Sequence, residues 1–547
     1  MIKREYCVIL NHHKDINIIK NKLKNKTYDL YYKNSIVSFF LKKIKIKDLS
    51  HKNFNKNYNN FFFSIKGGWY RDSKRKDFLK IKNLFSIGNI MTDYITRDLI
   101  VDMRNFYYMK NILNKYKIIY ISSLESSSLK RVISLFKNKF LIYKSKNNYC
   151  EYFLRDKDTA ISADIIKIHR FSKIANILQN FVISFLKKRT LVYPDPFFQD
   201  KFKNKNYLHL NSVNILRAYY YKNIKQYNKK FFLEIEKEKK IKQRLVQIAK
   251  KFSIKSINPF LKKFTLHIKR KINYNYKIIE NYYHLNEELL KRYKPKKIIL
   301  PGMQEPKNII SIYSAINNNV KTEVRIDGSF INTFNEVPLC PDNKKALIDI
   351  LNVYSSKEYT FFKKNFFIKN LKLNKKFILR ENINKKQINY DIIILDYYWN
   401  FNNFSMNSKK DFSYKILDEI LNSLKLLNIK KIGIKLKPSN FQGEDVYINF
   451  LQTCIIKKYS KYKIDILTGP MKNYLNQSEI FIGGITSAVL EVRDSGSKFI
   501  IYQPKETGFD YDYVNKYSIF FKEKDIIRNS TDLSKSLMKI VHIDKSK

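Results

Sequence analysis

Two sets of residues in this chain have the types and spacing to do chemistry. The first is Gly483-Gly484-Ile485-Thr486-Ser487. It follows an apolar, β-favouring run at 480–482 and opens a stretch of helical spacing at 486–492. Gly496 can stop that helix, and 498–502 reads as another buried strand. A strand, a glycine turn, a helix and a second strand make a βαβ unit, whose first helical turn presents unpaired N–H groups above the sheet edge. Thr486 and Ser487 add hydroxyl donors there, so this turn has the chemistry to hold an anion such as a phosphate. It is neither a Walker loop nor a GxGxxG turn, and any parallel α/β protein needs glycine turns merely to reverse its chain.

The second set is Glu305 and Asp327. Each falls near the C-terminal end of a strand-like run, 296–302 and 320–328, where open α/β sheets gather ligands and catalytic groups. A carboxylate so placed can accept a proton from a hydroxyl. Read alone, Asp327-Gly328 is also an ordinary turn and Glu305 an ordinary first-turn helix acid. His12 and His13 follow the first strand-like run but have no third partner for a metal. Cys7, Cys150, Cys340 and Cys454 are far apart with no CxxC pair, so neither a zinc site nor a disulfide framework is indicated.

The elements that must position these residues alternate in type. In the C-terminal half, 391–396, 431–438 and 464–469 read as buried strands, separated by helices at 414–427 and 447–458 and a short one at 471–477. Ile416, Leu417, Ile420, Leu421 and Leu424 share one side of the first. Towards the N-terminus, 6–10, 61–65, 118–122 and 140–143 are β-favouring, with helical periodicity at 92–115 and 127–137. Stretches 160–186 and 216–293 look mainly helical, and 338–342 looks like a crossing between domains. The expected fold is α/β, with two Rossmann-like domains facing a cleft: 1–340, carrying a helical insertion at about 160–293, and 341–547.

The 547 residues are enough for two or three domains. Lys and Arg total 106 against 48 Asp and Glu, a formal charge of +58, which invites a polyanionic partner. The excess is dispersed along the chain. Asn, Ile, Tyr, Phe and Lys abound while Gly (12), Pro (11) and Trp (2) are scarce, the composition an AT-rich coding sequence gives without functional demand. With no aromatic-plus-basic motif present, this argues against nucleic acid as the partner. The opening residues lack a signal peptide's apolar segment, and no apolar run reaches the roughly 18–20 residues of a spanning helix, so a cytoplasmic protein is expected. The basic stretch 252–272, with Phe260, Leu261, Phe264 and Leu266 among lysines, reads either as a core-packing helix or as one lying on the inner face of an anionic membrane.

Three pieces in order resemble the C-terminal domain of GT-B glycosyltransferases of bacterial surface polysaccharides: polysialyltransferases, sialyltransferases and CDP-glycerol glycerophosphotransferases. They are Ile434-Lys435-Leu436-Lys437-Pro438, Ile466-Leu467-Thr468-Gly469 before a short helix, and Gly483-Gly484-Ile485-Thr486-Ser487-Ala488 with Glu491 and Gly496. The likeness covers about the C-terminal half. It implies a glycosyltransferase moving a sugar or related group from a nucleotide-activated donor to a cell-surface glycan, with no cofactor and no metal. It further implies donor nucleotide and phosphate contacts from Lys435, Lys437, Pro438, Thr468, Gly469, Gly483, Gly484, Thr486, Ser487 and Glu491, with Asp327 or Glu305 as base. Where such families have histidine before proline, this chain has Lys437, which can neutralise a phosphate but does not act as an acid near neutral pH unless its pKa is depressed. Where they have histidine before glycine it has Asp327. The competing readings are a nucleotide-sugar 2-epimerase on the same architecture, and a non-enzymatic basic nucleic-acid-binding protein.

Overall fold

The computed structural model describes residues 5–10, 15–24, 26–32, 47–48, 61, 64–65, 68–72, 76–81, 84–113, 115–122, 131–136, 139–143, 190–192, 207–209, 233–254, 257–300, 302, 306–325, 346–353, 356–373, 387–395, 412–436, 448, 451–484, 488, 491–492, 495–504 and 523–543. The chain forms two compact units. One comprises residues 1–56, 100–156 and 380–547, the other 57–99 and 157–379.

In chain order the first strands are β1 (Tyr6–Leu10), β2 (Tyr28–Tyr32), β3 (Lys47–Asp48), the short antiparallel pair β4 (Lys80–Ile81) and β5 (Phe85–Ser86), then β6 (Ile118–Ser122) and β7 (Lys139–Tyr143). Five of these make an all-parallel sheet in the order β3-β2-β1-β6-β7. Cys7, Val8, Ile9 and Leu10 are all buried, the continuous apolar run that a strand covered on both faces requires. Of the run at 61–65, the described residues Phe61, Ser64 and Ile65 have helical rather than strand backbone, and the Ile65 carbonyl accepts from the N–H groups of Gly68 and Trp69. Its two buried ends, Phe61 and Ile65, are four residues apart, so one helical face satisfies the burial that β-propensity had suggested.

The second unit holds β8 (Thr190–Val192), β9 (Tyr207–His209), β10 (Lys297–Leu300), β11 (Lys321–Arg325), β12 (Ile350–Val353) and β13 (Asn370–Leu373) in an all-parallel sheet ordered β13-β12-β11-β10-β8-β9. This overturns a domain boundary at 340. β11 pairs with β12 across it, Glu323 opposite Ile350, and Thr322 and Asp349 exchange backbone-to-side-chain hydrogen bonds of 2.9 and 3.0 Å. β8 and β9 also lie within the span read as a helical insertion. Of the helical stretches expected there, Ile235–Lys251 and Asn258–Tyr293 are helices, while 160–186 lies outside the described residues. Phe260, Leu261 and Phe264 are 2, 0 and 1 % exposed, so the core-packing reading of 252–272 holds for these three. The helix Pro306–Asn317 follows β10 and buries nine of its residues.

The last strands are β14 (Ile392–Leu395), β15 (Lys431–Lys435), β16 (Lys463–Leu467), β17 (Ile480–Gly483), β18 (Lys498–Tyr502) and β19 (Ile526–Ile527). They form a third parallel sheet, ordered β16-β15-β14-β17-β18-β19. One face carries Ile392, Ile394, Ile432, Ile434, Ile480 and Ile482 into a core shared with Val8, Leu10 and Leu30 of the first sheet. The helix Phe412–Ser423 and the 3₁₀ turn Leu424–Leu426 pack Ile416, Leu417, Ile420, Leu421 and Leu424 onto that core, all at most 1 % exposed. Each contributes about 1.5–3 kcal/mol relative to exposure. The fold is therefore α/β, with three parallel sheets among the described residues.

Candidate functional site

In the third sheet the chain lays down β14, β15 and β16 outward in one direction, then returns to place β17, β18 and β19 on the other side of β14. Numbered within the sheet, that order is 3-2-1-4-5-6, the dinucleotide-binding arrangement, and its switch point lies between β14 and β17. Ile394 stands opposite Ile482, so the carboxyl ends at Leu395 and Gly483 adjoin. At such a point the loops leave in opposite directions and open a crevice for a ligand.

Gly483 is a glycine because of packing. A Cβ there would fall 2.8 Å from Leu395 Cβ and 3.2 Å from Phe499 Cζ. Its absence lets β14, β17 and β18 close up where the crevice begins. Gly469 has the other reason: its φ of +87° turns the chain at the end of β16 in a conformation that a side chain disfavours.

Lys435 ends β15 beside Leu395 and Leu467 and is only 3 % exposed. Its Nζ donates to the Leu436 carbonyl and lies 5.6 Å from the centre of the Tyr474 ring. The Tyr474 hydroxyl in turn donates to the Thr468 carbonyl at 2.6 Å, across the Gly469 turn. Three of the expected site residues, Lys435, Thr468 and Gly469, are thus gathered at the carboxyl edge of β15 and β16, and Tyr474 is the link. Sequence reasoning missed Tyr474. The available signal was its place six residues beyond Thr468, just after the 3₁₀ turn Met471–Asn473. Gly484 follows β17 half-buried, and Glu491 is half-buried on helical backbone. Lys437, Pro438, Thr486, Ser487, Glu305 and Asp327 lie outside the described residues.

On the same sheet face as Lys435, Asp465 lies opposite Gly433 and accepts a hydrogen bond from Tyr390. Burial, then the Asp465 charge and that hydrogen bond, push the Tyr390 hydroxyl above its ordinary pKa. In the second unit's sheet, β10 ends at Leu300 and Pro306 opens the next helix, so Glu305 immediately precedes that helix; Gly302 between them is buried. That sheet, in chain order 2-1-3-4-5-6, has its own switch point between β8 and β10. Its buried carboxylate, Glu323, is tied up by Lys297, by Arg325 at 3.0 Å and by Asn352 at 2.9 Å, which marks it as structural. Among the described residues no cluster of three or more His, Cys, Asp or Glu could hold a metal ion.

Comparison with protein-family models gives no match, and comparison with curated proteins gives none either. Among solved structures, UDP-GlcNAc 2-epimerase from Neisseria meningitidis bound to UDP-GlcNAc overlaps 66 % of this chain and 92 % of its own, with TM-score 0.35 and 10 % identity. A glycosyltransferase from Rickettsia africae ESF-5 overlaps 65 and 89 %, with TM-score 0.33 and 13 % identity. TarM overlaps 48 % of this chain, with TM-score 0.30 and 12 % identity, and the chain spans about half of TarM's length (52 %).

Proposed function

We propose that this chain is a GT-B-type transferase that moves a sugar or related group from an activated nucleotide to a surface glycan, working peripherally at an anionic membrane. One observation carries the reading. The 3-2-1-4-5-6 parallel sheet has its switch point at Gly483, where the sequence supplies Gly484, Thr486 and Ser487, with the buried Lys435 at the end of β15, on the far side of β14. That is an arrangement for phosphates. N–H groups of a helical first turn, hydroxyls and a cation stabilise the charge that grows on a departing nucleotide, and they need no metal to do so. In this reading Lys437 adds a second cation, Pro438 fixes the chain beyond β15, and Thr468, Gly469 and Glu491 line the nucleotide side.

Transfer also needs a base for the acceptor hydroxyl. Asp327, just beyond β11, is preferred, with Glu305 beyond β10 in reserve. The test is to incubate the protein with CMP-, CDP-, UDP- and GDP-activated donors, with and without bacterial glycan, and follow the products by mass spectrometry. Nucleotide release that depends on glycan supports the transferase. A donor whose sugar is isomerised without glycan supports the 2-epimerase instead, and consumption of none of them overturns both.

A further inference from the structure

In the third sheet β15 and β14 lie between β16 and β17, so residues 468–479 must cross both strands while running from the carboxyl to the amino end of the sheet. The crossing is pinned at both ends. At its start Gly469 turns the chain with a φ of +87°, Met471–Asn473 forms the 3₁₀ turn, and the Tyr474 N–H donates to the Met471 carbonyl at 2.9 Å. The Tyr474 hydroxyl then returns to the Thr468 carbonyl at 2.6 Å and closes the loop on itself. Towards its end Leu475 is buried, and the Gln477 carbonyl accepts from the N–H groups of Asn389 and Tyr390 at 2.9 and 3.0 Å. Tyr474 is therefore held by backbone on both sides, and the fold places its ring before any ligand arrives.

That place is against a buried cation. Lys435 Nζ lies 5.6 Å from the ring centre, inside the range of about 6 Å over which an ammonium is drawn to an aromatic face, and the attraction grows where water is excluded. Lysine carries its charge on a flexible four-carbon stem, so the charge sits where its partners put it. Here the Leu436 carbonyl accepts from the ammonium and the Tyr474 ring faces it. The hydroxyl meanwhile secures the neighbouring strand end, where the Leu436 N–H donates to the Leu467 carbonyl at 2.9 Å, one residue before Thr468. One side chain thus ties the charge at the end of β15 to the turn that ends β16. A phosphate is stabilised best by groups already in place, since nothing then has to reorganise around it.

We infer that Tyr474 is a positioning residue for the phosphate of the nucleotide, acting through Lys435 rather than by touching the ligand. The inference rests on the nucleotide-binding reading above and adds a residue to it. It is tested by calorimetry of the full chain with CDP, UDP and GDP, each beside its nucleoside, in the parent, Tyr474→Phe, Tyr474→Leu, Lys435→Met and Lys435→Met with Tyr474→Leu. Tyr474→Leu should weaken diphosphate binding about 5- to 30-fold, the strength of a cation–π contact away from water, and leave nucleoside binding as in the parent. Tyr474→Phe keeps the ring and should recover most of that affinity, while hydrogen exchange quickens in peptides covering 468–474 because the tether to Thr468 is gone. In the Lys435→Met background Tyr474→Leu should weaken binding by less than about a further twofold, as side chains acting as a unit do. Equal losses for diphosphate and nucleoside, or the same loss from Tyr474→Leu with and without the lysine, would make the ring mere packing and overturn the inference while the nucleotide site stands. If the parent binds none of the three diphosphates, the nucleotide reading falls and the inference falls with it.

Discussion

Replacing Gly483 by alanine should loosen the sheet at the point where the nucleotide crevice begins. The added methyl would sit 2.8 Å from Leu395 Cβ and 3.2 Å from Phe499 Cζ, where ordinary carbon contacts need about 3.5–4 Å. A Cβ cannot rotate away, and Leu395 Cβ moves only with its backbone, so β14 or β17 must shift by several tenths of an ångström. Overpacking of this kind costs about 1–3 kcal/mol. Because the two units need not unfold together, the measurement is hydrogen exchange followed by mass spectrometry on peptides covering 480–502. Exchange there should accelerate about 5- to 150-fold, the kinetic image of that cost, with nucleotide affinity reduced in parallel. Gly496 provides the contrast: its φ is +78° and nothing lies within 4 Å of a Cβ, so Gly496→Asn, a residue that tolerates the left-handed region, should exchange nearly as the parent does. Unaltered exchange in Gly483→Ala would refute the close approach of β14, β17 and β18 on which the crevice depends.

Three further outcomes follow from particular side chains. Burial alone would raise the Asp98 carboxyl, but the hydrogen bond from His267 at 2.7 Å and the Lys271 charge outweigh it and hold Asp98 at about 2. A depressed carboxyl contributes stability that is present above the unfolded value of 3.8 and is lost as pH falls through about 2, here about 2 kcal/mol. The stability gap between the parent and Asp98→Asn, measured by urea unfolding, should therefore be widest near neutral pH and shrink between about pH 4 and pH 2; a gap that does not change with pH contradicts the assignment. If Lys437 supplies charge rather than a proton, Lys437→Arg should keep appreciable transfer and Lys437→Met should lose it, and equal rates in all three would remove it from the site. Asp327→Asn should lower transfer about a hundred- to ten-thousand-fold with nucleotide affinity unchanged, whereas a loss confined to Glu305→Gln would move the base to Glu305.

The buried parallel strands were the most legible part of the fold. β14, β15 and β18 fall within the runs read from sequence, and β16 and β17 overrun theirs by one residue each, because strands covered on both faces tend to be continuously hydrophobic. Strands with mixed or polar faces were not legible: β2 is Tyr-Asp-Leu-Tyr-Tyr, and β13 is Asn-Leu-Lys-Leu with three exposed positions. Their register is set by long-range pairing, which periodicity does not encode. The same holds for the boundary at 340, where two prolines, Pro338 and Pro341, looked like a linker and the sheet instead continues through Glu323 opposite Ile350. At the candidate site, the sequence reads Gly483 as part of a glycine turn, whereas in the structure it closes β17 and the side chains of Leu395 and Phe499 leave no room for a Cβ. Tyr474 was missed because its part is played through a backbone carbonyl and a lysine at the end of β15. The basic amphipathic stretch was ambiguous until burial separated Phe260 and Phe264 from Leu266 and Tyr274.

The most direct test of the central claim is calorimetric titration of the full chain with CMP, CDP, UDP and GDP, repeated with Ser487→Val and, at several salt concentrations, with random RNA. The account predicts saturable binding of at least one of these nucleotides, weakened by Ser487→Val without a change in melting temperature. No nucleotide binding, together with tight RNA binding that falls steeply with salt, would contradict it and leave the +58 charge as the functional feature.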